Sequence, residues 1–159
     1  MTLNQAPFHQ CQYPAEKTDV LRDKKRNYNR NRDEAAEAEL NASYLPLDEL
    51  LGTADFVSLN MPLDDSTRGM IGEREISLMR PDAFLVNAAR GAVVDTDALT
   101  RALSARRIAG AALDVTEPEP LPRNHPLLAL DNVVVLPHLG TSTVQTRKRM
   151  GEMTLDNLL

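Results

Sequence analysis

Cysteine is almost missing from this chain, and so are long apolar runs and any excess of positive charge. Cys11 is the only cysteine among 159 residues, which excludes an internal disulfide framework and a thiolate zinc site and suits a reducing cytoplasm. No stretch approaches the roughly 18 apolar residues of a membrane span, and Met1 to Tyr13 shows no basic segment leading into an apolar one. A formal net charge of -5 gives no general attraction to phosphate backbones or anionic lipid, so neither nucleic acid nor a membrane is expected as a partner. His9 and His125 have no companions at metal-ligand spacing, so no metal is assigned. The six methionines read as packing residues. Small molecules are the expected class of ligand.

What is present is a chain of one-domain length, 42% hydrophobic and 26% charged. Residues 1–26 carry Pro7, Pro14 and a basic cluster without periodicity, and are expected to form an irregular leader. Order is expected to begin near Asn27. The run Asp33 to Leu40 predicts a short helix with acids in its first turn, and Leu47 to Leu51 another helical turn. Four apolar runs follow, Asp55–Asn60, Ala83–Asn87, Ile108–Asp114 and Asn132–Leu136, and predict four buried strands. Helical stretches separate them at Gly72–Met79 and Asp95–Arg106, the second opening on an Asp cap. Strand alternating with helix implies a parallel sheet. The tail from Thr141 to Leu159 predicts a helix capped by Thr141 or Ser142 whose apolar side needs a partner surface.

In an open parallel sheet ligands gather at the carboxyl ends of the strands, and Asn60, Asn87, Arg90, Asp114 and His138 all fall at or just past such ends. Arg90 offers a two-pronged donor to a substrate carboxylate, or else pairs structurally with an acid such as Asp95. His138, after Pro137, is either a proton donor and acceptor or a hydrogen-bonded structural group. Glu119, between Pro118 and Pro120, would orient that imidazole and favour its charged form, with Glu117 a rival for the task. Asp114 positions a ligand amide or simply caps a turn. Asn60, Pro62 and Thr67 line a ligand's far side or form an ordinary turn.

Taken in order, the segments Asp55–Leu59, Asn87-Ala-Ala-Arg-Gly91, Ala112–Pro122, His125-Pro-Leu127 and Asn132–Gly140 resemble the D-isomer-specific 2-hydroxyacid dehydrogenases, and most of all their glyoxylate/hydroxypyruvate reductase branch. The resemblance implies an NAD(P)-dependent oxidoreductase that reduces a small 2-oxo acid to the D-2-hydroxy acid. By the same resemblance Arg90, Glu119 and His138 are catalytic, and Asn60, Pro62, Thr67, Ala88, Ala89, Arg90, Asp114, His138 and Gly140 line the cofactor. Tyr28 to Arg32 is similar to the end of the family's second dinucleotide strand, where Arg30 and Arg32 would meet a 2′-phosphate and favour NADPH.

The family's Gly-x-Gly-x-x-Gly turn, which binds the pyrophosphate, should precede Tyr28, and none of the seven glycines forms it. The expected fold is therefore α/β, an incomplete Rossmann-like parallel sheet with flanking helices that lacks its first βα unit, with residues 27–159 as a partial NAD(P)-binding domain. Weak or absent turnover is expected of such a truncated chain. The alternative is a non-catalytic interaction module that self-associates, as a homodimer in the simplest case, or pairs with a full-length relative.

Overall fold

The structure, a computed structural model, describes residues 25–29 and 32–158 and falls into two compact units that divide between Leu45 and Pro46. In the first unit Lys25–Asn27 (β1) and Ala42–Tyr44 (β2) pair in parallel, with helix Glu34–Leu40 (α1) between them in the chain. Asp33 caps α1 by accepting from the Ala36 amide at 3.0 Å, as an Asp before a run of helix formers should. Lys25 and Arg26, expected to lie in an irregular leader, belong to a strand. These strands are short and polar, so no apolar run announces them.

The second unit continues with helix Leu47–Thr53 (α2), strand Phe56–Leu59 (β3), helix Glu73–Leu78 (α3), strand Phe84–Asn87 (β4), helix Thr96–Ser104 (α4), strand Gly110–Leu113 (β5), strand Val133–Val135 (β6) and helix Val144–Asp156 (α5). The strands form one parallel sheet in the order β3-β4-β5-β6, which is the α/β architecture with flanking helices that the alternating pattern predicts. Side chains alternate across the pleat: Val57, Leu59, Leu85, Ala111 and Leu113 pack with Leu51, Ile76, Leu99 and Leu103 of α2 to α4 into one core.

The opposite face of the sheet is the more exposed among the described residues, so the strands expected to be buried pack into the core on one side only. Phe56 is 57% exposed and Val134 59%, and Phe56 stacks on Phe84 across the strand pair with ring centroids 5.5 Å apart. The physical reason is that α2, α3 and α4 all pack on one face. Helix α5 is capped by Thr143, whose hydroxyl accepts from the Thr146 amide at 3.1 Å, instead of by Thr141 or Ser142. None of its described residues is buried, and Met150, Met153 and Leu155 stand in solvent. Among the described residues no helix is long and apolar enough to cross a membrane.

Candidate active site

The carboxyl ends of β3 to β6 lie along one edge of the sheet, and the loops leaving them carry the site. At the end of β4, Asn87 is buried and uses both ends of its amide on the turn that follows. Its Oδ1 accepts from the Ala89 amide at 3.1 Å and its Nδ2 donates to the Arg90 carbonyl at 2.9 Å. This clamp presents Ala88, Ala89 and Arg90 to a cleft of about 450 Å³ that is also lined by Asn60, Met61, Pro62 and Leu63 from the loop after β3. The Arg90 guanidinium donates to the Ala89 carbonyl at 2.6 Å. The rival partner Asp95 is engaged elsewhere, capping α4 through the Ala98 amide at 2.9 Å. Arg90 therefore stands at the cleft with no carboxylate bonded to it among the described residues. The Thr67 hydroxyl donates to the Pro62 carbonyl at 2.8 Å and so closes the turn after β3, the turn role that was one of its two expected readings.

The loop after β5 approaches the loop after β4 very closely. Thr96 donates to the Glu117 carbonyl at 2.8 Å, and Thr116 to the Pro118 carbonyl at 2.9 Å, which fixes the backbone on both sides of Glu117. That leaves Glu119 facing the loop after β6, where its Oε1 lies 2.6 Å from Nδ1 of His138. A carboxylate only accepts, so Nδ1 carries the hydrogen and Nε2 points away from the pair. Of the two candidate acids, the structure brings Glu119 and not Glu117 to the histidine. His138 itself adopts a left-handed backbone, with φ of 56°, a conformation few residues other than glycine take.

Asp114, at the end of β5, accepts from the Leu139 amide at 2.6 Å and from the Gly140 amide at 2.9 Å. Its own amide donates to the Asn87 carbonyl at 2.9 Å. A continuous set of hydrogen bonds thus runs from the Arg90 turn through Asn87 and Asp114 to the turn that carries His138. The sequence reading missed Asn87 as a clamp; an amide at a strand end ahead of a small-residue turn was the available signal. Among the described residues no group of three metal-ligating side chains gathers.

Two further expectations concern the first unit. Arg30 lies outside the described residues. Arg32 is held by the buried Glu37, with its Nη2 at 3.1 Å from Oε2, and its guanidinium lies 5.4 Å from the Tyr44 ring centre. The hydrogen bond to Glu37 and that carboxylate's charge raise the pKa of Arg32 above its ordinary value.

A family model described as D-isomer specific 2-hydroxyacid dehydrogenase, NAD binding domain, matches residues 15–140, beginning ahead of Asn27. The chain belongs to this family. A glyoxylate reductase of Aeropyrum pernix is 50% identical over 132 residues, which are 83% of this chain and 39% of that protein. The crystal structure of a glyoxylate reductase from Paecilomyes thermophila superposes with a TM-score of 0.79 at 42% identity, over 85% of this chain and 40% of that one. An NAD-complexed D-isomer specific 2-hydroxyacid dehydrogenase from Lactobacillus delbrueckii ssp. bulgaricus superposes with a TM-score of 0.77 at 34% identity, over 87% and 45%. The chain thus spans about two fifths of the length of the 2-hydroxyacid dehydrogenases it matches.

Proposed function

We propose that this chain carries the NAD(P) side and the acid–base residues of a reductase acting on a small 2-oxo acid of the glyoxylate or hydroxypyruvate type. The observation that supports this most directly is the Glu119–His138 hydrogen bond of 2.6 Å on the same sheet edge as Arg90, a guanidinium without a carboxylate partner among the described residues. The residues fit a dinucleotide on its nicotinamide side. Ala88 and Ala89 leave space in the cleft that Asn60 and Pro62 border, and Gly140 offers a small residue on the turn that carries His138. Such a cofactor, when bound, supplies the hydride.

The chain's own residues do the rest. Arg90 holds the substrate carboxylate through paired N–H donors, which also fixes the carbonyl at the edge of the sheet. Glu119 keeps the His138 ring in one orientation, and Nε2 of His138 gives its proton to the substrate oxygen as that oxygen becomes a hydroxyl. A preference for NADPH rests on Arg30, since Arg32 is committed to Glu37. The partner is a small 2-oxo or 2-hydroxy acid.

Turnover by the chain alone is expected to be negligible, because no glycine-rich turn holds the pyrophosphate among its glycines. An NMR titration of the isotope-labelled chain tests the reading. Addition of NADPH and then glyoxylate should shift the Ala88, Ala89 and Gly140 amides, with little cofactor oxidation. Shifts confined to other surfaces would overturn the assignment of the site, and turnover at the ordinary enzyme scale of about 1–10³ s⁻¹ would overturn the expected inactivity.

A second reading is favoured by α5, none of whose described residues is buried. In that reading the chain is a non-catalytic module that associates with a second copy of itself. Light scattering decides it: a monomer at all concentrations removes it.

A further inference from the structure

We propose that Asp114 is a positioning residue for His138, acting through the backbone of the turn that carries the histidine; the functional meaning of this rests on the proposed acid–base role of His138. Three observations converge. First, both carboxylate oxygens are engaged, Oδ1 by the Leu139 amide at 2.6 Å and Oδ2 by the Gly140 amide at 2.9 Å. Second, His138 lies in the left-handed region with φ of 56°. A left-handed residue turns the two amides after it toward one point, which makes a small anion-binding concavity. In this chain Asp114 fills that concavity with the protein's own anion. Third, a β-carbon on Gly140 would stand 3.1 Å from Oδ2, so the turn closes on the carboxylate with little room to spare.

The arrangement explains how an unfavourable backbone conformation persists on an exposed loop. The left-handed geometry at His138 costs conformational energy, and two charge-assisted hydrogen bonds from adjacent amides offset it. Without them the turn relaxes toward ordinary φ values, and the imidazole swings off Glu119. Asp114 is itself anchored, because its amide donates to the Asn87 carbonyl at 2.9 Å and it ends β5, a strand paired on both sides. The rigidity of the sheet interior is thereby passed to the His138 ring by a side chain that never touches it.

The test needs no cofactor. In the full chain labelled on histidine and backbone nitrogen, the His138 Nδ1–H proton should appear as a downfield resonance, and the Leu139 and Gly140 amides should exchange slowly with solvent. Asp114→Ala should abolish the Nδ1–H resonance and speed exchange of the two amides at least tenfold, while the amide spectrum of β3 and β4 stays in place. Asp114→Asn retains one acceptor and should restore part of the protection, which a general loss of structure would not allow. Glu119→Ala, which removes the acceptor, should remove the His138 resonance and leave the Leu139 and Gly140 amides protected. Persistence of the resonance in Asp114→Ala overturns the proposal. If that variant does not fold, Asp114→Asn with wild-type exchange at both amides overturns it as well. Failure of cofactor or glyoxylate to bind would count against the proposed function and leave this result standing.

Discussion

Gly91 approaches the carbonyl of Thr116 so closely that a β-carbon placed on it would sit 2.0 Å from the Thr116 oxygen. The contact joins the loop after β4, which presents Arg90, to the loop after β5, which presents Glu119. Glycine is required here by proximity, since the facing atoms are backbone and cannot rotate away.

Gly91→Ala is therefore expected to push the Thr116–Pro120 segment outward. The cost is that of overpacking, about 1–3 kcal/mol, read as a lower urea midpoint with an unchanged slope. The same displacement should separate Glu119 from His138, so the Nδ1–H resonance should vanish although neither residue is altered. A variant with normal stability and an intact resonance would contradict the role given to this contact.

Arg90 tests the substrate side. Replacing it with Ala should weaken glyoxylate binding by about 1.5–3 kcal/mol, the range for hydrogen bonds to a charged group, or roughly tenfold to a hundredfold in Kd. Arg90→Lys should recover only part of this, because an ammonium lacks the two-pronged fork. Binding is measured by following the Ala88 and Ala89 amides during titration. The fold should be little affected, since the guanidinium's recorded bond is to the Ala89 carbonyl.

The strands β3 to β6 were legible because each lies in an apolar run bounded by turn residues, and α4 because an Asp cap precedes an apolar face of Leu99, Ala102 and Leu103. Asp95 was readable as a cap because it precedes a run of helix formers, whereas Asp33, counted inside the helical run, is in fact its cap. The more exposed face of the sheet was not legible. Phe56 and Phe84 have the same local pattern as core residues, and only the placement of the helices decides which side they see. Thr143 was passed over for its neighbours because Thr141, Ser142 and Thr143 offer the same hydroxyl chemistry in succession. The tie from Asp114 to the His138 turn links residues 25 and 26 positions apart. It uses backbone donors, which leave no mark on the sequence.

Glu75 gives a pH signature outside the site. Its burial raises the carboxyl pKa, but the hydrogen bond from Arg74, the amides of Glu75 and Gly72, and the Arg74 charge outweigh this and hold it below its ordinary value. A depressed folded pKa means the contribution to stability is present above the unfolded pKa of about 4.3 and is lost as pH falls through the lower folded value. The difference in urea midpoint between wild type and Glu75→Gln should accordingly be largest near neutrality and shrink below pH 4. An equal difference at pH 7 and pH 3 would show that the ionised form contributes nothing.

Asn87 offers the most demanding test, because its side chain holds the cleft without facing any ligand. It is 1% exposed, accepts from the Ala89 amide and donates to the Arg90 carbonyl. In Asn87→Leu the volume is nearly kept, yet a buried donor and an acceptor each lose a partner at about 1–3 kcal/mol apiece. Destabilisation of about 2–4 kcal/mol is expected, well above that of a packing change alone. Asn87→Asp separates the two bonds: it keeps an acceptor for the Ala89 amide but sets an oxygen against the Arg90 carbonyl. The Ala89 amide should stay protected from exchange in that variant while the Arg90 turn loosens and glyoxylate affinity falls. If both variants bound glyoxylate as the wild type does, the turn would not depend on this clamp, and Arg90 would have to be held at the cleft by something else.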